Sequence, residues 1–308
     1  VSRTKTRTLD PAAVAKPADC YLDDLRILQT LARGGTARVF LAETPSGERV
    51  AVKLLDPTYA ADPVVTASFL AEAEVARAVC HPGLVDVRAA ACTAETGIPY
   101  LVMELLDGET LQAVVDRVDL PLGAIVAIAE QVATAVAALH DAGYVHCDVK
   151  AANVFVLFDT LAGQPRVKVI DFGVARRVDA EATGDVISGT PTCMAPEQWR
   201  GEATPKSDVY ALGCMLYELV TGEPLFSGTL PQLAVAHCEA LPPRPSNHRS
   251  GIDPKLERLI VRTLAKDPAF RPTMIDVARE LARIVPVVEL DAALAELCAR
   301  DTVVEASA

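Results

Sequence analysis

No two cysteines of this 308-residue chain sit at C-x-x-C spacing; the eight of them, at 20, 80, 92, 147, 193, 214, 238 and 298, are scattered. That excludes a small disulfide scaffold and fits a reducing compartment, the cytoplasm. Long uncharged apolar runs are absent as well. The longest, "AIVAIAEQVATAVAAL" at 124–139, falls short of the roughly 20 residues that cross a bilayer and is interrupted by Glu130 and Gln131, so no membrane span is expected. The basic, Thr-rich start lacks the apolar segment that a secretion signal requires. Basic residues are outnumbered, 29 against 41 acidic, and the net charge of −12 opposes binding to a phosphate backbone, so no nucleic-acid partner is expected. Internal repeats and low-complexity blocks are also missing.

What is present is a globular composition, 51% hydrophobic and 23% charged, on a chain long enough for one large domain or two packed lobes. Residues 1–20 mix Thr, basic residues, Ala and Pro without periodicity and read as a flexible tail. From Tyr21 to about 105 the pattern is mostly strands, "LRILQTLA", "ARVFLAET", "RVAVKLL" and "IPYLVMEL", with "TPSGE" as a hairpin turn and one helix near 65–80. From about 106 to 285 it is mainly helical, at 124–141, 207–221, 230–240, 253–265 and 273–285, with Gly143 and Gly222 as stop signals and short strands at 154–158 and 167–170. A β-rich part followed by an α-rich part predicts an α+β chain in two lobes with a cleft between them. Residues 286–308 are acidic, with Leu290, Ala293, Leu294 and Leu297 at helical spacing, and read as a short helix and tail.

Chemistry concentrates in "YVHCDVKAANVFV", residues 144–156, where His146, Asp148, Lys150 and Asn153 lie between two apolar strand pieces. Buried without partners, such groups cost roughly 2–7 kcal/mol each, so they ask for a site. Elsewhere, Glu72 falls on the apolar face of its helix with Phe69 and Ala76, whereas Glu74 points away. A carboxylate there wants a cation, and Lys53 in "VAVKLL" alternates toward the pocket side of its strand. Asp171 ends the strand "RVKVIDFG" just before a glycine, a placement that suits a hard cation such as magnesium, with Asn153 as a second oxygen donor and Lys150 as a point charge facing phosphate.

These residues belong to an ordered series: "LARGGTARVFLA", "VAVK", Glu72 ahead of "HP", "HCDVKAAN", "DFG", "GTPTCMAPE", "SDVYALGCMLYELVTG" and "DPAFRPT". Over residues 24–285 the chain resembles the eukaryotic-type protein kinases in their bacterial Ser/Thr branch. The resemblance implies a two-lobed kinase-like fold, a small mainly β N-lobe with one key helix and a larger mainly α C-lobe. It also implies ATP as phosphoryl donor, with Mg2+, or Mn2+ in its place, and a protein bearing Ser or Thr as acceptor. Ala32, Gly34, Gly35, Val39 and Ala51 would cover the nucleotide, Lys53 would hold its α- and β-phosphates and pair with Glu72, and Asn153 and Asp171 would bind the metal. Met103 would guard the back of the adenine pocket, with Glu104 to Leu106 as the hinge. Asp148 would orient and deprotonate the acceptor hydroxyl, Lys150 would stabilise charge on the γ-phosphate, and Thr190 would contact Asp148, as in Ser/Thr enzymes. Glu197 with Arg271 resembles a structural ion pair, Asp208 the acid that supports the catalytic loop, and His146 a scaffold residue. The bacterial branch also allows a homodimer through the small lobe.

Two departures stand out. Cys147 replaces the Arg of H-R-D that in many relatives meets a phosphate on the activation loop, here 171–197 with Thr183, Ser188, Thr190 and Thr192. Dependence on such phosphorylation should therefore be weaker. The thiol, its pKa raised by neighbouring Asp148, reads as inert filler rather than a redox switch, and Cys193 reads the same way. In "ARGGTA" the outer glycines of G-x-G-x-x-G become Ala32 and Ala37, whose methyls should hinder close approach to phosphate or a positive φ. An active Ser/Thr kinase is the expected function. A pseudokinase scaffold is the alternative that these departures favour, and a small-molecule phosphotransferase is a third, which "GTPTCMAPE" argues against.

Overall fold

Alternating apolar residues in the first third of the chain pair into a six-stranded antiparallel sheet. Its strands are β1 (Cys20–Leu22), β2 (Leu25–Arg33), β3 (Ala37–Glu43), β4 (Arg49–Leu55), β5 (Val87–Cys92) and β6 (Pro99–Glu104), in the order β1-β2-β3-β4-β6-β5. The computed structural model describes residues 20–158, 167–179 and 189–284; the expected N-terminal tail, the C-terminal helix and the loop residues Thr183 and Ser188 lie outside them. Period-2 alternation on β4 sorts its side chains: Val50 and Val52 pack with Leu25 and Tyr100 on one face, and Leu55 packs with Phe69 and Leu101 on the other. Ala51 and Lys53 share the second face. Helix α1 (Pro63–Ala78) covers part of that face, started by Asp62, whose carboxylate accepts from the backbone of Val64 and Val65, and by Pro63 in the first turn. Glu72 is buried with Phe69, Ala73 and Val75, and Glu74 is exposed, as the helical spacing predicts.

The remainder is mainly helical: α2 (Leu111–Val115), α3 (Leu122–Asp141), α4 (Pro205–Thr221), α5 (Leu230–Glu239), α6 (Pro254–Thr263) and α7 (Met274–Ala282). Short strands β7 (Gly108–Thr110), β9 (Val154–Leu157) and β10 (Val167–Val169) form a sheet in the order β10-β9-β7, and β8 (Tyr144–Val145) pairs with β11 (Arg176–Arg177). Helix α3 is 20 residues long, four more than the apolar run seen in the sequence, because residues at both ends join its turns; by length and composition it could cross a membrane. Here most of it is buried against its neighbours, with Ile125, Ile128 and Leu139 fully enclosed, each worth roughly 1.5–3 kcal/mol relative to exposure. Helix α4 is likewise buried from Ser207 to Tyr217. These two helices form the base on which the loop between β8 and β9 rests.

Candidate active site

Between the six-stranded sheet and that loop lies a cavity of about 460 Å3. Ala32, Val39, Ala51, Lys53, Glu72, Met103, Glu104, Leu106 and Asp171 line it, as anticipated. Gly34 and Gly35 do not; they occupy the exposed tip between β2 and β3, where the Gly34 N–H donates to the Ala37 carbonyl at 2.8 Å. Asn153 is also outside the lining, on the catalytic side. Sequence reasoning passed over Leu31, Val85, Gly108, Phe155 and Ile170. Alternation offered a signal for two of them: Val154, Val156, Val167 and Val169 are buried in the large-lobe core, which turns Phe155 and Ile170 the other way.

The concern over the missing glycines is partly corrected. Ala32 and Ala37 are paired strand residues, and neither has a positive φ. The Ala37 methyl packs with Leu55 and Phe69 inside the small lobe, away from the cavity, leaving only that of Ala32 on the cavity wall. A closer constraint lies at Gly108, where φ is +155° and a Cβ would stand 1.9 Å from the Val156 carbonyl oxygen.

At the hinge, the Glu104 carboxylate accepts from Lys168 at 2.5 Å and from the Asp86 N–H at 2.8 Å, so its side chain is committed to the fold. Among the described residues the backbone of Leu106 has no hydrogen-bond partner, although it borders the cavity. An unpaired donor and acceptor at an apolar wall suit a flat heterocycle with both functions.

Lys53 extends from β4 to two carboxylates, Glu72 at 2.7 Å and Asp171 at 3.0 Å. Burial works against its ammonium, but the two acids outweigh it and raise the pKa. Burial likewise opposes ionisation of Asp171, yet Lys53 and the Gly173 N–H hold its carboxyl below the usual range. Glu72 is the most enclosed of the three, and burial pushes it up against the pull of Lys53. The Ser68 hydroxyl on α1 also donates to the Gly173 carbonyl, joining the helix to the D-F-G turn.

Asp148, Lys150, Asn153 and Thr190 come together on the other side. The Asp148 carboxylate accepts from Thr190 Oγ1 at 2.6 Å and from Asn153 Nδ2 at 3.0 Å, and it pairs with Lys150 at 2.7 Å. Lys150 also donates to Thr190 Oγ1 at 2.5 Å. Asp208 at the start of α4 fixes the loop that carries them: its carboxylate accepts from the backbone N–H groups of His146 and Cys147, both at 2.8 Å, and meets His140 Nε2 at 2.8 Å. His140 was not anticipated. His146 packs edge-on against Phe172, and its Nδ1 accepts from the Asp148 N–H.

The geometry explains the unusual cysteine. Cys147 has φ +68°, and its backbone carries the contacts: N–H to Asp208 and carbonyl to Gln198 Nε2 at 2.9 Å. Gly189, at φ +123°, approaches that carbonyl so closely that a Cβ would lie 2.9 Å from it. The thiol is buried. Burial first, then Asp208, pushes its pKa well up, with Arg176 opposing; Asp148, the cause expected from sequence, is the least of these.

Behind the substrate side, Arg271 and Glu197 form a bidentate pair at 2.6 and 3.0 Å, both buried. Arg271 also donates to the carbonyls of Ala265, Lys206 and Lys266 and stacks over Tyr210. The Tyr210 hydroxyl meets Nδ1 of buried His237 at 3.0 Å. Burial, then Lys266, lowers the His237 pKa to about 4.

A β-sheet lobe and a helical lobe enclosing an apolar cavity, with a lysine–carboxylate triad on its wall and an Asp–Lys–Asn cluster outside its lining, define a two-lobed phosphotransferase fold. The chain belongs to the protein kinase domain family, whose sequence profile matches residues 25–281. It is 38% identical over 266 residues to serine/threonine-protein kinase Pkn1 of Myxococcus xanthus, covering 84% of this chain and 38% of that protein. It is 39% identical over 264 residues to serine/threonine-protein kinase PknB of Mycobacterium leprae, covering 82% of this chain and 41% of that protein. The chain thus spans about two fifths of the length of these curated relatives.

Proposed function

We propose that residues 21–285, with lobes of about 21–105 and 106–285, are the catalytic domain of a serine/threonine protein kinase that moves the γ-phosphoryl group of ATP to a protein hydroxyl. The observation that carries this reading is the convergence of Lys150, Asn153 and Thr190 on one carboxylate, Asp148. A carboxylate so held is aimed to orient an incoming Ser or Thr hydroxyl and take its proton. Lys150 stands beside it to offset charge on the transferring group, and Lys53, kept protonated by its two acids, does the same for the α- and β-phosphates. The apolar wall from Ala32 to Phe155 takes the adenine, with the free backbone of Leu106 as its hydrogen-bonding edge and Met103 at the back.

Asp171 and Asn153 offer oxygens of the type magnesium prefers. The Asn153 Nδ2 is engaged with Asp148, which leaves its Oδ1 to coordinate, and Asp171 uses Oδ1 for Lys53 and Gly173, which leaves Oδ2. Bound there, Mg2+, or Mn2+, would neutralise phosphate charge. Because Cys147 acts through its backbone, the loop that bears Asp148 is held by Asp208 and Gln198 without a phosphate. Activity should depend little on activation-loop phosphorylation. The chain would work in the cytoplasm on protein substrates, and self-association through the small lobe is read by concentration-dependent light scattering.

The test is transfer of labelled phosphate from Mg-ATP to the chain itself and to a generic basic protein. Asp148→Asn should lower the initial rate by about 10³-fold, within the range of a lost general base, and Lys53→Met should abolish measurable transfer. Folded wild type that binds ATP but transfers nothing would establish the scaffold reading favoured by the missing H-R-D arginine.

A further inference from the structure

Helix α1 is held unevenly along its length. Toward its end Val75 is buried, and Val79 just beyond follows it into the large core cluster that also holds α3 and α4. In its first turns the cover is thin: Val64 is 69% exposed, Ala67 and Ser68 face solvent, and Phe69 is the first buried residue. An ionic tie joins this helix to the D-F-G turn, with Lys53 bridging Glu72 at 2.7 Å and Asp171 at 3.0 Å. A neutral tie runs beside it. Ser68 lies one helical turn before Glu72, and its hydroxyl donates to the Gly173 carbonyl. Gly173 sits between the two acids, where a Cβ would stand 3.2 Å from Asp171 Oδ1 and 3.6 Å from Glu72 Oε2. The turn itself needs holding, because Asp171 has φ +68°, a left-handed conformation that a non-glycine residue keeps only when its surroundings fix it.

We propose that Ser68 is a positioning residue for phosphoryl transfer: its hydrogen bond to Gly173 keeps α1, and with it Glu72, against the D-F-G turn once ATP has drawn Lys53 away from Asp171. This deepens the kinase reading of the cavity and rests on it. Lys53 serves two acids in the free chain, one enclosed at 1% exposure and one at 48%. A phosphate arriving through the open side competes with the exposed acid, Asp171, and leaves the Glu72 contact in place. The ionic tie between helix and turn is thereby given up as the site is loaded. The neutral tie stays, since a hydroxyl bonded to a backbone carbonyl carries no charge for the nucleotide to attract.

The rate depends on that tie through Glu72. Lys53 offsets phosphate charge only where Glu72 holds it, and a displacement of about 1 Å at a reacting group is enough to lower a rate by about 10²-fold. Stability does not depend on it in the same way. Ser68 is exposed, and loss of an exposed hydroxyl leaves the core untouched.

The experiment compares the wild type with Ser68→Ala and Ser68→Thr. It measures kcat and the KM for ATP in labelled phosphate transfer, the urea unfolding midpoint, and hydrogen exchange of the amides of residues 66–72 in the chain saturated with Mg-ATP. Ser68→Ala should lower kcat by about threefold to tenfold, the scale of one hydrogen bond, with a smaller change in KM and an unchanged unfolding midpoint. Its α1 amides should exchange faster by a similar factor when ATP is bound. Ser68→Thr keeps the hydroxyl and should restore both readings. Equal kcat and equal exchange in Ser68→Ala and the wild type would overturn the proposal, as would a loss that Ser68→Thr fails to restore or an unfolding midpoint that falls in step with kcat. The exchange arm needs bound ATP but no turnover. A wild type that binds ATP without transfer, yet shows the exchange difference, therefore counts against the kinase reading alone, and unchanged exchange in an active chain counts against the Ser68 tie alone.

Discussion

The molecule holds two sets of paired charges, and they are built in opposite ways. Arg271 and Glu197 are enclosed, with side-chain exposures of 0% and 3%, and the guanidinium finds Glu197 and three backbone carbonyls in addition to the Tyr210 ring. The triad of Lys53, Glu72 and Asp171 instead joins a strand, a helix and a turn across a cavity, and Asp171 remains 48% exposed. The first set has no capacity left for a ligand. The second has a free carboxylate edge, a cation shared between two acids, and open space in front of both. Satisfied charges hold a fold together, and incompletely satisfied ones wait for a substrate.

That contrast can be broken by mutation. The largest loss of stability is expected for Arg271→Met, which strands the Glu197 carboxylate in the core and should cost about 3–5 kcal/mol in urea unfolding. A loss under 1 kcal/mol would mean that the pair is not the lock it resembles. Next comes the acid sensitivity of the same region. His237 titrates at about 4 in the folded chain against 6.5 when free, so between these values the unfolded chain binds the extra proton. Stability should then fall by up to about 3 kcal/mol as pH drops from 6.5 to 4, at 1.36 kcal/mol per pKa unit, with no contribution above 6.5. Facing His237 are Tyr210, through its hydroxyl, Lys266, whose pKa burial lowers to about 8, the Phe226 ring, and the Thr192 backbone, which acts against the lowering. In His237→Gln that part of the slope should vanish, and an unchanged slope would assign it to other groups. The smallest effect is expected for Lys53→Met, about 1–2 kcal/mol, because Glu72, already pushed up by burial, can take a proton instead of standing charged and alone. The same variant loses transfer altogether, so stability and activity should separate at the triad and fall together at Arg271.

Much of this architecture was readable from residue patterns. Period-2 alternation turned Lys53 to the cavity side of its strand, and helical spacing put Glu72 on the buried side of α1. The turns at Gly143 and Gly222 ended α3 and α4 where expected, both with positive φ. Strand β5, "VRAAAC", escaped notice because alanines carry little strand preference and its place is set by pairing with β6. Long-range contacts were harder. His140 meets Asp208 only because α3 and α4 pack together, which no local spacing encodes. Cys147 reads in the sequence as inert filler beside Asp148; the structure buries it, and its environment is governed by enclosure and Asp208 rather than by the adjacent Asp148.

The central claim is that the Asp148 cluster transfers phosphate on a loop held by Asp208 and Gln198 instead of by an arginine–phosphate contact. It is tested most directly by stripping the chain with a phosphatase, removing the phosphatase, and measuring the first turnover of labelled phosphate from Mg-ATP. The account predicts an initial rate within about threefold of the untreated chain, a difference of under 1 kcal/mol in barrier. A rate that disappears on stripping and returns only after the activation loop is phosphorylated again would contradict it.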